Sequence, residues 1–291
     1  MKAPPFSYIR PMRLAEVFAL LERHGEEARL LAGGQTLLAS LNMRLSEPTL
    51  LIDLQALPEL QGINLVGKTL RIGAMVSHST VEASSLVAQH APLLTQAVPH
   101  IAHRAIRNLG TFGGSIAYGD PAAEWPACLL ALDGVVVAQS RTGERRIAAQ
   151  DFYTGLYSTA LALGEVIVAC EIPAVQEDQR FSFQELARRQ GDYAVLGLAA
   201  SAHWHGGVLD QMRLAWLGLG AKVQRAIETE QLLQGQVLTP SLCQQALQTL
   251  VNELDIAADL THSVAAKKHL AGVLLNRTLD ALCAGPQQGS I

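Results

Sequence analysis

The period of the apolar positions changes several times along this chain. Residues 14–21 repeat with a helical period and predict a short helix, and the apolar run at 28–31 ends abruptly in Ala32-Gly33-Gly34-Gln35-Thr36. A second helix is predicted from Leu37 to about Arg44, followed by a buried strand over 49–54. Residues 28–54 therefore read as strand, glycine turn, helix, strand, a small βαβ unit. Residues 63–66 and 69–74 read as two strands joined by a tight turn at Gly67-Lys68. Helical spacing then runs from about Thr80 to Ala102, interrupted at Pro92. A second glycine-rich segment follows, Arg107-Asn108-Leu109-Gly110-Thr111-Phe112-Gly113-Gly114-Ser115. Asp120-Pro121 has the form of a carboxylate N-cap with proline at the first helical position and predicts a further helix. Strands over 135–139 and 166–172 close this half.

Residues 173–180 are polar and mark the predicted domain boundary. Beyond them, 181–187, 196–204 and 209–217 read as antiparallel strands, with Met212, Leu214 and Trp216 alternating against Gln211, Arg213 and Ala215. Two helices finish the chain. One carries an apolar stripe of Cys243, Ala246, Leu247, Leu250 and Leu254, the other a stripe of Leu270, Val273, Leu274 and Ala281. No internal repeat or low-complexity tract is visible.

Composition narrows the class. Of 291 residues, 49% are hydrophobic and 16% charged, enough to bury one large core or two ordinary ones, and the low charge points to apolar surface covered by a cofactor or partner subunits. A formal net charge of −4, with no Lys/Arg run beyond Arg145-Arg146 or Lys267-Lys268, argues against a nucleic-acid partner. No targeting segment and no bilayer-length apolar stretch is visible, so the chain reads as soluble and not transmembrane. Cys128, Cys170, Cys243 and Cys283 form no C-x-x-C pair and read as free thiols in a reducing cytoplasm.

The candidate chemistry lies in the two glycine-rich turns, each expected where a strand hands over to a helix. Glycine allows close approach of the backbone to a ligand, and successive free N–H groups at such a turn cradle an anion. Two cradles in one domain suit a ligand with two linked phosphates, although either alone reads more readily as a plain tight turn. The dinucleotide pattern G-x-G-x-x-G is missing from a strand-to-helix setting, which disfavours a Rossmann domain. Residues 62–69 satisfy the letters of a P-loop, but the next residues read as a strand, and an NTPase is rejected on that context. His203 and His205 share a strand face and His100 and His103 are expected as helix neighbours. Neither pair has a third ligand in view, so surface or packing roles are preferred. No G-x-S-x-G elbow or H-E-x-x-H helix is present.

At these turns the sequence resembles the FAD-binding medium subunits of the xanthine dehydrogenase and carbon monoxide dehydrogenase group of molybdenum hydroxylases. The resemblance is carried by Leu31-Ala32-Gly33-Gly34-Gln35-Thr36-Leu37 with Leu51-Ile52-Asp53-Leu54 behind it. It is carried more specifically by Ile-Arg-Asn-Leu-Gly-Thr-Phe-Gly-Gly-Ser-Ile at 106–116 and Gly-Asp-Pro-Ala-Ala-Glu at 119–124, and it continues to Gly191-Asp192-Tyr193-Ala194. It implies an α+β fold: a two-lobed FAD-binding domain of the PCMH type over 1–175, with lobes at about 1–58 and 59–175, then a C-terminal domain of antiparallel sheet packed with helices over 176–291. The FAD pyrophosphate is expected on Ala32 to Thr36 and on Thr111, Phe112, Gly113, Gly114 and Ser115. Leu31 and Leu37 flank the first loop. Glu124 matches an acidic contact of the family, Ile167 a hydrophobic one, and Tyr193 is expected near the isoalloxazine ring. Gln184 stands where some relatives have lysine, which leaves flavin polarity and acceptor choice open.

The function so implied is an FAD-carrying electron-transfer subunit with no catalytic acid or base of its own. Partners are a large subunit with the molybdenum cofactor and a small subunit with two [2Fe-2S] clusters, in a cytoplasmic dimer of heterotrimers. A self-contained FAD-dependent oxidoreductase and a flavin-free assembly scaffold are the other readings.

Overall fold

A computed structural model describes residues 2–284; residues 285–291, the end of the expected C-terminal domain, lie outside the described residues. The chain opens with a three-stranded parallel sheet in the order Ser7–Ile9, Leu50–Asp53, Ala28–Leu31. The helix Leu14–His24 lays Leu14, Val17, Phe18 and Leu21 on this sheet, the i, i+3, i+4, i+7 spacing of one helix face. The predicted βαβ unit is thus present, with Leu37–Asn42 as its short helix. Ser7–Ile9 was not foreseen, because all its residues are exposed and no burial pattern marks them.

A five-stranded antiparallel sheet follows, in the order Ile63–Val66, Thr69–Gly73, Val166–Pro173, Val135–Ser140, Gly143–Ala148. The predicted hairpin at Gly67-Lys68 is present, with Val66 opposite Thr69, so the P-loop letters close a β-turn and open no helix. Gly143–Ala148 also escaped prediction. It is a charged edge strand, and Arg145 and Arg146 reach across to Glu165 and Glu171 where a hydrophobic alternation would have been read. Between the hairpin and Val135–Ser140, the helical run expected from Thr80 to Ala102 has its expected break at Pro92 and a further one at Ser84, giving the short helices His78–Ala83, Ser85–His90 and Pro92–Ala97. Ser77 and Ser84 cap the first two by accepting from Thr80 N and Val87 N, and Pro92 opens the third, so each hydroxyl or ring restarts the chain. His100 and His103 consequently do not share a helix: His100 ends a 3-10 turn and His103 precedes the helix Arg104–Leu109.

The expected helix at Asp120-Pro121 starts later, as Glu124–Ala131. Asp120 caps a turn, accepting from the Ala122 N–H at 2.9 Å. Every residue from Trp125 to Ala131 is buried, because this helix is covered by the C-terminal sheet on one side and by the helices Pro92–Ala97 and Phe112–Tyr118 on others. Its last carbonyl, on Ala131, accepts from the Ser201 hydroxyl at 2.7 Å, so the buried helix end is satisfied from the neighbouring sheet.

The C-terminal sheet is four-stranded and antiparallel, in the order Gln179–Ala187, Ala194–His205, Val208–Leu217, Gln224–Arg225. The helices Pro240–Glu253 and Val264–Ala284 cover one face, where Leu198, Leu214, Trp216, Leu250 and Leu274 share a core. Ala199, Ala215 and Leu217 pack with Cys128 and Leu129 on the other. The alternation expected across residues 211–216 therefore fails at Ala215, which is buried because both faces of the sheet are covered.

Glu230 ties this sheet together: its buried carboxylate accepts from the Leu214 N–H at 2.7 Å and from Arg225 Nε at 3.1 Å. Glu230→Ala would strand a buried backbone donor and a guanidinium. It is expected to lower stability by about 3 kcal/mol in urea unfolding, with Glu230→Gln losing less because it still offers Leu214 an acceptor.

Candidate functional site

The strand Ala28–Leu31 ends at a turn that Gly34 makes possible by adopting φ +72°, and the chain enters Leu37–Asn42 with no side-chain cap. The Gln35 side chain folds back to donate to the Gly33 carbonyl at 3.0 Å. Among the described residues, the N–H groups of residues 33–37 find no protein acceptor, while further along Leu38 N donates to Gly34 O and Ser40 N to Thr36 O. Residues 32–37 line one wall of a cleft of about 1300 Å³, above the roughly 300–1,000 Å³ of common small-molecule sites. A row of unpaired backbone donors on a cleft wall is the arrangement that binds a diphosphate, and a cleft of this size accommodates an extended dinucleotide.

The second glycine segment departs from expectation. It is preceded by the helix Arg104–Leu109, not by a strand, and the N–H groups of residues 112–115 are already used, while Thr111 N has no acceptor among the described residues. Phe112 N donates to Val76 O at 2.8 Å, Gly113 N to Ala74 O at 2.9 Å, Gly114 N to Thr111 Oγ1 at 3.1 Å and Ser115 N to Thr111 O at 3.1 Å. The site is one open nest facing a loop in which only the Thr111 N–H is left without an acceptor. Ser115 and Thr36 contribute hydroxyls with no partner among the described residues.

The glycines serve mainly to bring these segments together. A Cβ on Gly33 would lie 2.0 Å from Leu109 O, one on Gly113 would lie 2.6 Å from Ala74 Cα, and one on Gly114 would lie 2.6 Å from Thr111 Oγ1 and 3.3 Å from Ala32 Cβ. The two loops, far apart in sequence, thus meet main chain to main chain on the same cleft.

Of the remaining candidates, Glu124, Ile167 and Tyr193 line the cleft. Two do not: Phe112 is fully buried with its ring 5.2 Å from Trp125, and Leu31 lies under the loop against Gly34. Burial pushes the Glu124 carboxyl up to about 7, with the charge of Asp120 adding to the effect. Asp120 is itself raised by burial, opposed by the Ala122 N–H. Tyr193 is 75% exposed at the cleft mouth, where Tyr118 and Tyr157 pack 5.0 Å apart.

Sequence reasoning missed Asp120, Tyr157 and His78 as cleft residues. Asp120 stood inside a recognised motif but was assigned to a helix cap, and Tyr157, at φ 49°, carries no local signal. His78 accepts from Trp125 Nε1 at 2.9 Å through Nδ1, and burial together with the Arg107 charge lowers its pKa to about 4, so it stands neutral with its proton on Nε2. His203 and His205 stack at 5.9 Å on one strand face, and no group of three or more metal-capable side chains occurs among the described residues.

Residues 4–175 match the family model of the FAD binding domain in molybdopterin dehydrogenase, and residues 181–282 match that of the CO dehydrogenase flavoprotein C-terminal domain. The nicotine 6-hydroxylase medium subunit of Paenarthrobacter nicotinovorans is 38% identical over 96% of this chain and 98% of its own. Carbon monoxide dehydrogenase from Hydrogenophaga pseudoflava provides a solved chain that superposes with a TM-score of 0.95 at 35% identity, covering 98% of this chain and 99% of that one. Quinoline 2-oxidoreductase from Pseudomonas putida 86 superposes with a TM-score of 0.92 at 36% identity, over 98% of this chain and 99% of that one.

Two predictions follow from the geometry. Gly33→Ala is expected to push the loops apart, costing about 1–3 kcal/mol of stability and most of the bound flavin, read by absorbance after gel filtration. Gly155→Ala, whose nearest neighbour would be Ser158 Cβ at 3.9 Å, should match the parent chain in both. Glu124 gives a pH test. Its pKa rises on folding from 4.5 to about 7, so the folded state binds the proton more tightly; stability is full below 4.5 and declines as pH climbs through 7. Flavin-free Glu124→Gln lacks that decline and should exceed the parent by on the order of 2 kcal/mol at pH 8, with the gap closing toward pH 5, as measured by thermal unfolding.

Proposed function

The chain belongs to the molybdopterin dehydrogenase FAD-binding family, and on that premise we propose that it is the FAD-carrying medium subunit of a molybdenum-containing hydroxylase or dehydrogenase complex. The observation that carries this reading is the open row of backbone donors at residues 33–37 on a cleft large enough for a dinucleotide. In this reading those N–H groups hold the FAD pyrophosphate, the hydroxyls of Thr36 and Ser115 add to the grip, Glu124 and Ile167 contact the cofactor, and Tyr193 lies at its ring. The chain divides at residue 175, with lobes at about 1–58 and 59–175 enclosing the cleft, and 176–291 forming the C-terminal domain.

Bound FAD supplies the exchange between single-electron and paired-electron chemistry, while the protein positions and tunes it. A large subunit holds the molybdenum cofactor and oxidises the organic substrate. A small subunit with two [2Fe-2S] clusters brings the electrons, and NAD, a quinone, oxygen or another carrier removes them. The working assembly is a cytoplasmic dimer of heterotrimers. No described helix is long and apolar enough to cross a membrane. Support for a substrate bound elsewhere comes from the relatives, whose names specify nicotine and carbon monoxide although the similarity runs over whole chains. Chemically unrelated substrates are hard to reconcile with one shared substrate pocket.

Purified alone, the chain is expected to be yellow with stoichiometric FAD and to oxidise no organic substrate until the partner subunits are added. Turnover by the isolated chain would favour a self-contained oxidoreductase, and a colourless, folded chain would favour a scaffold.

A further inference from the structure

A second cavity, of about 680 Å³, adjoins the large cleft and falls within the range of common small-molecule sites. The two share Tyr118, Asp120, Tyr157 and Tyr193 as lining residues, so they meet at the cleft mouth. Away from that shared wall, the second cavity is bounded by the turn after the strand Val208–Leu217, by Ala257 and Ala258, and by Lys267. In the turn, the Gly218 N–H donates to Pro121 O at 2.8 Å and the Leu219 carbonyl accepts from Ala257 N at 2.8 Å. The N–H groups of Leu219, Gly220 and Ala221 have no acceptor among the described residues. Leu219 is 1% exposed, so its N–H draws little from bulk water and needs a partner from within the cavity. Gly218 bends the chain at φ +78°, and three successive free donors after such a bend form an anion-binding nest. Lys267 adds a charge beside it. Its side chain is 5% exposed, and Nζ donates to Gly218 O at 2.8 Å and lies 3.0 Å from Asp259 Oδ2, which leaves one of its three N–H bonds unspent. Asp259 is held by its own loop, where Oδ1 accepts from the N–H groups of Thr261 and His262 at 2.7 and 2.8 Å. FAD held on residues 33–37 uses none of these groups.

We propose that this cavity holds the diphosphate and nicotinamide of a pyridine dinucleotide, the external carrier with which the flavin exchanges electrons, an inference that rests on the function proposed above. The diphosphate lies on the N–H groups of Leu219, Gly220 and Ala221 beside the Lys267 ammonium, and the nicotinamide ring lies toward Tyr193, where the two cavities meet. Charge selects this carrier. A quinone is neutral and oxygen needs no nest, whereas a dinucleotide carries a diphosphate and, when oxidised, a positively charged ring. Tyrosine faces and the Asp120 carboxyl on the shared wall suit such a ring. Reoxidation of the flavin then balances within the site. A hydride leaves the reduced flavin for the nicotinamide ring, so that one N–H bond breaks and one C–H bond forms. The flavin is oxidised, the dinucleotide is reduced, and the flavin's remaining proton goes to water.

The test uses the full chain loaded with FAD, so that the first nest is occupied. ADP-ribose is the probe of the second, since it carries the diphosphate without the nicotinamide. Calorimetry should show one ADP-ribose site per FAD-loaded chain. Ala221 is exposed, so Ala221→Glu and Ala221→Gln should both fold and keep the parent's FAD absorbance. The added carboxylate of Ala221→Glu should weaken ADP-ribose by about ten-fold or more, and the neutral Ala221→Gln by less than about three-fold. Anaerobic NADH should bleach the flavin of the parent, with the half-saturating concentration raised about ten-fold in Ala221→Glu. A FAD-loaded parent that binds no ADP-ribose, or equal binding by the two variants, would overturn the site and leave the flavin reading intact. So would a dithionite-reduced flavin that decylubiquinone reoxidises while NADH leaves the oxidised flavin unbleached. A parent chain that carries no FAD would overturn the functional reading as well.

Discussion

The contact on which this structure depends is the approach of Gly33 to the Leu109 carbonyl. A single added carbon would stand 2.0 Å from that oxygen, so the turn after the first sheet and the loop of the second region can meet only through bare main chain. That meeting sets the floor of the cleft. It also explains the unequal use of the two segments. The second is locked into its surroundings by Val76, Ala74 and Thr111 and acts as an anvil, and the first lies against it with its donors at residues 33–37 unspent. A ligand that satisfies those donors stabilises both the turn and the junction between the sheets.

The second constraint is the helix Glu124–Ala131, whose body is buried against the C-terminal sheet and neighbouring helices while its first residue lines the cleft. Placing an ionisable residue at the start of a fully packed helix leaves its carboxyl poorly solvated, which is why Glu124 titrates near neutrality. The same packing brings the C-terminal sheet against the helix, where Ala199, Ala215 and Leu217 meet Cys128 and Leu129. One packing event therefore joins the two regions, shapes the cleft wall and perturbs its acids. Ser201 completes the arrangement by satisfying the far end of the helix.

Much of the fold was legible in the residue pattern. The helix Leu14–His24, the strand, glycine turn and helix unit, the hairpin at Gly67-Lys68 and the long strands after residue 179 all bury a face whose spacing is written locally. The elements that escaped notice bury nothing by themselves or are restarted by a cap. Ser7–Ile9 is exposed, Gly143–Ala148 is charged, and Ser84 divides what reads as one helix.

The glycine segments were marked by their composition, which determined that two turns permit close backbone approach. Composition could not say what approaches them. Whether Gly33 faces a ligand or the Leu109 carbonyl, and whether the donors around Gly114 are free or taken, depends on segments brought together from distant positions in the chain. Phe112 was placed in the site and belongs to the core, while Asp120, Tyr157 and His78 reached the cleft unannounced. The sequence by itself determined the periodicities, the turn chemistry and the family resemblance, since these depend on residues close together along the chain. Burial, desolvation and the pairing of backbone groups across tens of residues were decided only by the tertiary structure, because they are properties of the space between elements.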